Sequence, residues 1–136
     1  MRKQLIALIK EHNSKESGIY IPVDVEEYVD KLLKYATIVP YFSQGVLMGF
    51  ISYYNNDEFK KNAFLTMILV SKDYQGKGIG KLLLEFSIRD IQNSGFENYS
   101  LEVLKNNAKA IAFYKSYGFI QKEDRDQLWL MEKKLM

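Results

Sequence analysis

The stretch "MILVSKDYQGKGIGKLLLEF", Met67 to Phe86, passes from an apolar run through a loop with three spaced glycines into residues spaced as one face of a helix. Glycine between a buried strand and a helix lets the backbone turn tightly and admits a ligand where a Cβ would otherwise stand. The first amides of a helix are also unpaired and lie at the positive end of its dipole. Such a junction suits an anion, phosphate above all, and Lys77 and Lys81 add charge to it. A glycine-rich structural turn is the other reading of the same residues.

Counting removes two familiar phosphate motifs. A Walker A loop needs a glycine where Gln75 stands and Ser or Thr where Leu82 stands. A dinucleotide fingerprint begun at Gly76 needs glycine at Lys81, and one begun at Gly78 needs it at Leu83.

Outward from the loop, helices and strands alternate. Leu5, Leu8 and Ile9 share one helical face, and Val25, Tyr28, Val29, Leu32 and Leu33 repeat the spacing after Pro22 and Asp24. "SKESGIYIP" joins these two helices. "ATIVPYFSQGVLMGFISYYNN" predicts two strands about a Gln44-Gly45 turn, with Pro40 marking the first as an edge strand or a bulged one. "NAFLTMILV" is apolar on both faces, as a central strand covered by helices would be. Ile79, Leu82, Leu83 and Phe86 form the expected inner stripe of the next helix, which ends near Gly95. A strand "YSLEVL", a helix "NAKAIAFYKSY" stopped by Gly118, and the strands "FIQKE" and "QLWLMEKKL" complete an α/β chain without internal repeats.

Composition narrows the chemistry. A chain of 136 residues, 47% of them hydrophobic, suits one domain spanning residues 1–136. The net charge of +2 comes from interspersed residues without a basic block, which disfavours nucleic acid as a partner. With no cysteine and a single histidine, His12, thiolate catalysis, cysteine metal sites, histidine triads and most zinc sites drop out, and His12 reads as a surface helix residue. The N-terminal apolar run breaks at Lys10 and Glu11, and no uninterrupted run approaches membrane-spanning length. The expectation is a cytoplasmic protein with no membrane partner.

Gln75-Gly76-Lys77-Gly78-Ile79-Gly80 resembles the Q/R-x-x-G-x-G/A motif of the GCN5-related N-acetyltransferase (GNAT) superfamily. "LEVLKNNAKAIAFYKSYGF", Leu101 to Phe119, is similar to the family's later motif, with Asn107, Ala110, Ile111, Tyr114, Gly118 and Phe119 on its positions. The resemblance covers roughly Phe64 to Phe119. The resemblance implies a mixed, mostly antiparallel central sheet flanked by helices on both faces. It implies acetyl-CoA as cosubstrate, with the pyrophosphate held by Gln75, Gly76, Lys77, Gly78, Ile79, Gly80 and Lys81, and the pantetheine arm paired like an added strand to Ile68, Leu69 and Val70. No first strand is found ahead of the two opening helices, where the family has one.

The same resemblance implies residue roles for transfer to an amine. An alkyl amine with a pKa about 10.4 is neutral in only about one molecule in 10³ at pH 7, so a base is useful. Glu102, in a strand with apolar neighbours, is the candidate base; a solvated glutamate is the plain alternative. Tyr114 matches the tyrosine that protonates or orients the departing sulfur, against the alternative of an aromatic core residue. Asn107 is either an N-cap or a cofactor ligand, or both, and the Val70 amide is the candidate oxyanion donor. Trp129 and the Tyr53-Tyr54 pair read as strand packing, while Tyr20, Tyr41 and the Glu123–Asp126 turn are candidates for an acceptor site. The acceptor is a small molecule or a protein amino group, no metal is needed, and a homodimer is compatible with the family. Two other functions fit parts of the sequence: a non-catalytic acyl-CoA-binding module, which needs neither Glu102 nor Tyr114, and a nucleotide-binding domain with a coincidental glycine loop.

Overall fold

The computed structural model describes residues 1–13 and 24–136. Helices α1 (Arg2–His12) and α2 (Val25–Tyr35) come first, followed by strands β1 (Thr37–Ser43), β2 (Val46–Tyr54) and β3 (Asn62–Val70). Helix α3 (Ile79–Asn93), β4 (Asn98–Leu104), α4 (Ala108–Ser116), β5 (Ile120–Arg125) and β6 (Leu128–Lys134) complete the chain. The connection "SKESGIYIP" and Tyr20 lie outside the described residues. Asp24 caps α2 by accepting the Glu26 and Glu27 amides at 2.8 and 3.1 Å, which satisfies two donors that the first helical turn leaves open.

The strands form one six-stranded sheet in the order β1-β2-β3-β4-β6-β5, antiparallel except for the β3–β4 pair. Gln44 and Gly45 turn the β1–β2 hairpin with φ of 52° and 78°, the positive values that match the twist of paired strands. Pro40 lies on the edge strand, and a bulge follows between Tyr41 and Phe42. In that strand order β1 and β5 are the two outermost strands.

Helices cover both faces. Leu5, Leu8 and Ile9 of α1 and Val25 and Val29 of α2 pack with Phe50, Met67 and Leu69 on one face. Ile79, Leu83, Leu84 and Ile91 of α3 and Tyr114 of α4 pack with Ile51, Leu65, Tyr99, Leu101 and Met131 on the other. The stripe expected on α3 is corrected by one position: Leu82 and Phe86 are 52% and 49% exposed, and the inner row is Ile79, Leu83, Ser87 and Ile91. Apolarity favours Phe86 over Ser87, but Ser87 repeats at the i+4 spacing of the row. Its hydroxyl is satisfied there, donating to the Leu84 carbonyl at 2.9 Å and accepting from Tyr99 at 3.0 Å. Leu33, expected on the inner face of α2, is likewise turned outward.

Candidate active site

A β-bulge opens the sheet at its centre. Ser52 opposes Met67 while Tyr53 opposes Leu65, so Thr66 is the extra residue of β3. The surplus residue reverses the alternation: Ala63 and Leu65 join the α3-side core, but Met67 and Leu69 join the α1-side core. The bulged strand bends away from its neighbour. Accordingly the parallel pairing of β3 with β4 runs from Asn62↔Asn98 only to Leu65↔Leu101, and Thr66–Val70 and Glu102–Leu104 flank an open wedge. Thr66 is anchored by its own side chain, which donates to the Ser52 carbonyl at 3.0 Å and meets the Ser52 hydroxyl at 2.6 Å.

Backbone direction follows from register. The Ser71 amide donates to the Met48 carbonyl at 2.8 Å, and Gly49 opposes Val70. In an antiparallel ladder, hydrogen-bonded and non-bonded pairs alternate, so the N–H and C=O of Val70 point away from β2 and into the wedge. Gly49 permits this closeness, since a Cβ there would stand 2.7 Å from the Leu69 carbonyl oxygen.

At the mouth of the wedge the chain turns through Gln75 to Lys81. Gly76 and Gly78 adopt φ of 79° and 81°, which an L side chain resists. A Cβ on either would meet nothing within 4 Å, and one on Gly80 only the Val70 methyl at 3.8 Å. The loop is therefore open on its outer side. Gly78 caps α3 without a side-chain acceptor, and the first helical bond runs from the Leu82 amide to the Gly78 carbonyl at 3.0 Å. The Ile79, Gly80 and Lys81 amides precede that bond and face out of the helix end. Glycines open on their outer side, three uncapped amides and two lysines fit a diphosphate.

The other flank carries side chains. Asn107 accepts the Ala110 amide at 3.1 Å, so it is the N-cap of α4, and its amide NH₂ is the part left to face a ligand. Tyr114 is 8% exposed, with its ring 5.5 Å from Phe113 and 5.8 Å from Phe119. Burial pushes its phenol up to about 12. Glu102 is partly solvated and paired: its side chain is 35% exposed and accepts from Arg125 at 3.3 Å. Leu101 and Val103 face the α3-side core, so Glu102 projects from the opposite face, which α1 and α2 cover only over the other half of the sheet.

Other candidates separate. Arg125 also reaches Glu123 at 3.3 Å, which draws the Glu123–Asp126 turn to Glu102. Tyr41 packs against the α3-side core on the edge strand β1, at the far end of the sheet from β5, so it does not join that turn. Tyr53 is fully buried and donates to Asp90 at 2.6 Å. Trp129 packs on the core with Lys105 4.5 Å above its ring.

His12 is corrected outright. It is 6% exposed, and it continues the Leu5, Leu8, Ile9 stripe by one more turn, a signal already present in the spacing. Its Nδ1 lies 3.1 Å from the Leu8 carbonyl and its Nε2 3.5 Å from the Gln75 side-chain nitrogen, at the root of the glycine loop.

The profile of the acetyltransferase (GNAT) family matches residues 5–119. This chain belongs to the GNAT family. Relatives and folds agree with that membership. It is 46% identical over 57 residues to the [ribosomal protein bS18]-alanine N-acetyltransferase of Escherichia coli K12, covering 42% of this chain and 38% of that one. A probable spermine N(1)-acetyltransferase of Bacillus subtilis subsp. natto is 31% identical over 84 residues, 57% of this chain and 55% of its own. The matched stretches thus span less than two thirds of these relatives. The GNAT fold is shared with the PaiA N-acetyltransferase of Thermoplasma acidophilum, solved in complex with coenzyme A: TM-score 0.80, 24% identity, 98% of this chain and 92% of that one. Among the described residues no helix of this GNAT protein is long and apolar enough to cross a membrane.

Proposed function

We propose that this protein transfers an acetyl group from acetyl-CoA directly to the primary amine of an acceptor. The observation that carries the proposal is the wedge opened by the Thr66 bulge, with the Val70 amide aimed into it and the uncapped glycine loop at its mouth. The loop amides and Lys77 and Lys81 hold the pyrophosphate, and the free edge of Ile68, Leu69 and Val70 receives the pantetheine arm as a strand would.

The residues divide the work of an acyl transfer. The Val70 N–H donates to the carbonyl oxygen as it gains charge, which is where a fixed donor accelerates most. Glu102 takes the proton that the amine loses on forming its bond to the carbonyl carbon. Tyr114 donates a hydrogen bond to the sulfur as the C–S bond breaks. A phenol near 12 is a weaker acid than an alkyl thiol near 8.5, so this tyrosine steadies the thiolate, which takes its proton from solvent after release. Asn107 caps α4 and so sets the helix that carries Tyr114.

The acceptors named for the relatives, an alanine of a ribosomal protein and spermine, define the first assay. Release of free thiol from acetyl-CoA is followed with an alanine-initiated peptide, spermine and an amino sugar. Turnover with one of these supports the enzyme. Tight coenzyme A binding without turnover on a broad amine panel, unchanged in Tyr114→Phe and Glu102→Gln, overturns it in favour of an acyl-CoA-binding module.

A further inference from the structure

Helix α1 ends on the cofactor loop. Glu11 Oε1 accepts the Lys72 amide at 3.4 Å, and one turn of loop later His12 meets Gln75. Gln75 Nε2 can only donate, so His12 Nε2 is the acceptor of this second contact, while its Nδ1 faces the Leu8 carbonyl. Gln75 Nε2 donates to the Val70 carbonyl at 3.2 Å, which orients its amide, and its second hydrogen is the one directed at His12 Nε2. The chain of contacts thus runs from a buried imidazole, through Gln75, to the residue whose amide faces the wedge.

We infer that His12 is a positioning residue for the cofactor loop: its Nε2 holds the Gln75 side chain, and through Gln75 it fixes the Val70 end of β3 against the start of the glycine turn. The inference rests on the proposed acetyl-CoA site and adds to it a residue outside both family motifs. It also ties α1, an element of the opposite sheet face, to the loop that wraps the pyrophosphate.

Calorimetric titration with coenzyme A tests this without knowledge of the acceptor. His12→Phe and Gln75→Ala each weaken binding about five- to tenfold, the size expected for one lost hydrogen bond. The double variant is no weaker than the poorer single one, because both changes break the same link. His12→Gln places an acceptor oxygen near the Nε2 position and binds within about twofold of wild type. A His12 that merely fills space gives the reverse order, with phenylalanine better tolerated than glutamine in binding and in Tm alike. Binding unchanged in His12→Phe, or losses that multiply in the double variant, overturns the inference. Should His12→Phe not fold, Gln75→Ala, changed in the loop alone, decides: unaltered coenzyme A affinity there overturns it equally. A wild-type protein that does not bind coenzyme A strikes the underlying site and not this link.

Discussion

At the scale of single residues, Tyr114 and Glu102 are set apart by their surroundings. Tyr114 is enclosed by aromatic rings, and its ionisation is pushed to about 12 by burial. The neutral phenol is favoured in the fold over the unfolded chain, where it titrates near 10. That contribution is fully present below pH 10 and fades as pH rises toward 12, so kcat measured between pH 6 and 9 shows no alkaline limb from this group. Tyr114→Phe keeps the ring and removes one hydrogen bond to a developing charge. We expect kcat to fall about 10–100-fold with coenzyme A affinity changed less than threefold. Glu102 is open to water and shares Arg125 with Glu123. Glu102→Gln is expected to lower kcat about tenfold or more, while Tm stays within a degree or two, because exposed ion pairs stabilise little. Thiol-release kinetics and a thermal scan on the same two preparations check both statements.

At the scale of elements, the loop between β3 and α3 separates stability from binding. Gly78 has positive φ, so Gly78→Ala strains the backbone by roughly 1–2 kcal/mol and lowers Tm. Gly80 has ordinary helical φ and room for a methyl, so Gly80→Ala gains up to about 1 kcal/mol of helix propensity and raises Tm. Both substitutions place a Cβ on the open side of the loop, and both are expected to weaken coenzyme A binding at least tenfold. Paired thermal scans and titrations would show opposite signs in Tm and the same sign in affinity. A Gly80→Ala variant that binds normally would remove the loop from the cofactor site. The turn at Gly76 and Gly78 was legible in the sequence because positive φ is a local requirement. The bulge at Thr66 was not, since it exists only in the register of β3 against β2.

At the scale of the whole molecule, ligand binding and folding are linked. Acetyl-CoA or coenzyme A at about 100 times Kd is expected to stabilise the protein by roughly 2.7 kcal/mol. For a domain of this size that is a rise in Tm of about 8–13 °C. ATP and NAD are expected to leave the curve unmoved, in keeping with a loop that departs from both nucleotide motifs. A shift with ATP or NAD and none with acetyl-CoA would remove the acyl-CoA reading altogether.

Sequence alone determined the order of helices and strands, the hairpin at Gln44-Gly45, the glycine-rich strand-to-helix junction at Gly76–Gly80 and the family, because periodicity, turn chemistry and motif spacing are properties of neighbouring residues. Tertiary structure decided which flank of α3 is buried, that Ser87 and not Phe86 faces the core, and that His12 lies beneath the loop. It also decided that Glu102 meets Arg125 in water and that the Val70 amide faces an open wedge. Each of these depends on contacts between residues far apart in the chain, where one position of helical phase or one bulged residue changes which side of an element meets its neighbour.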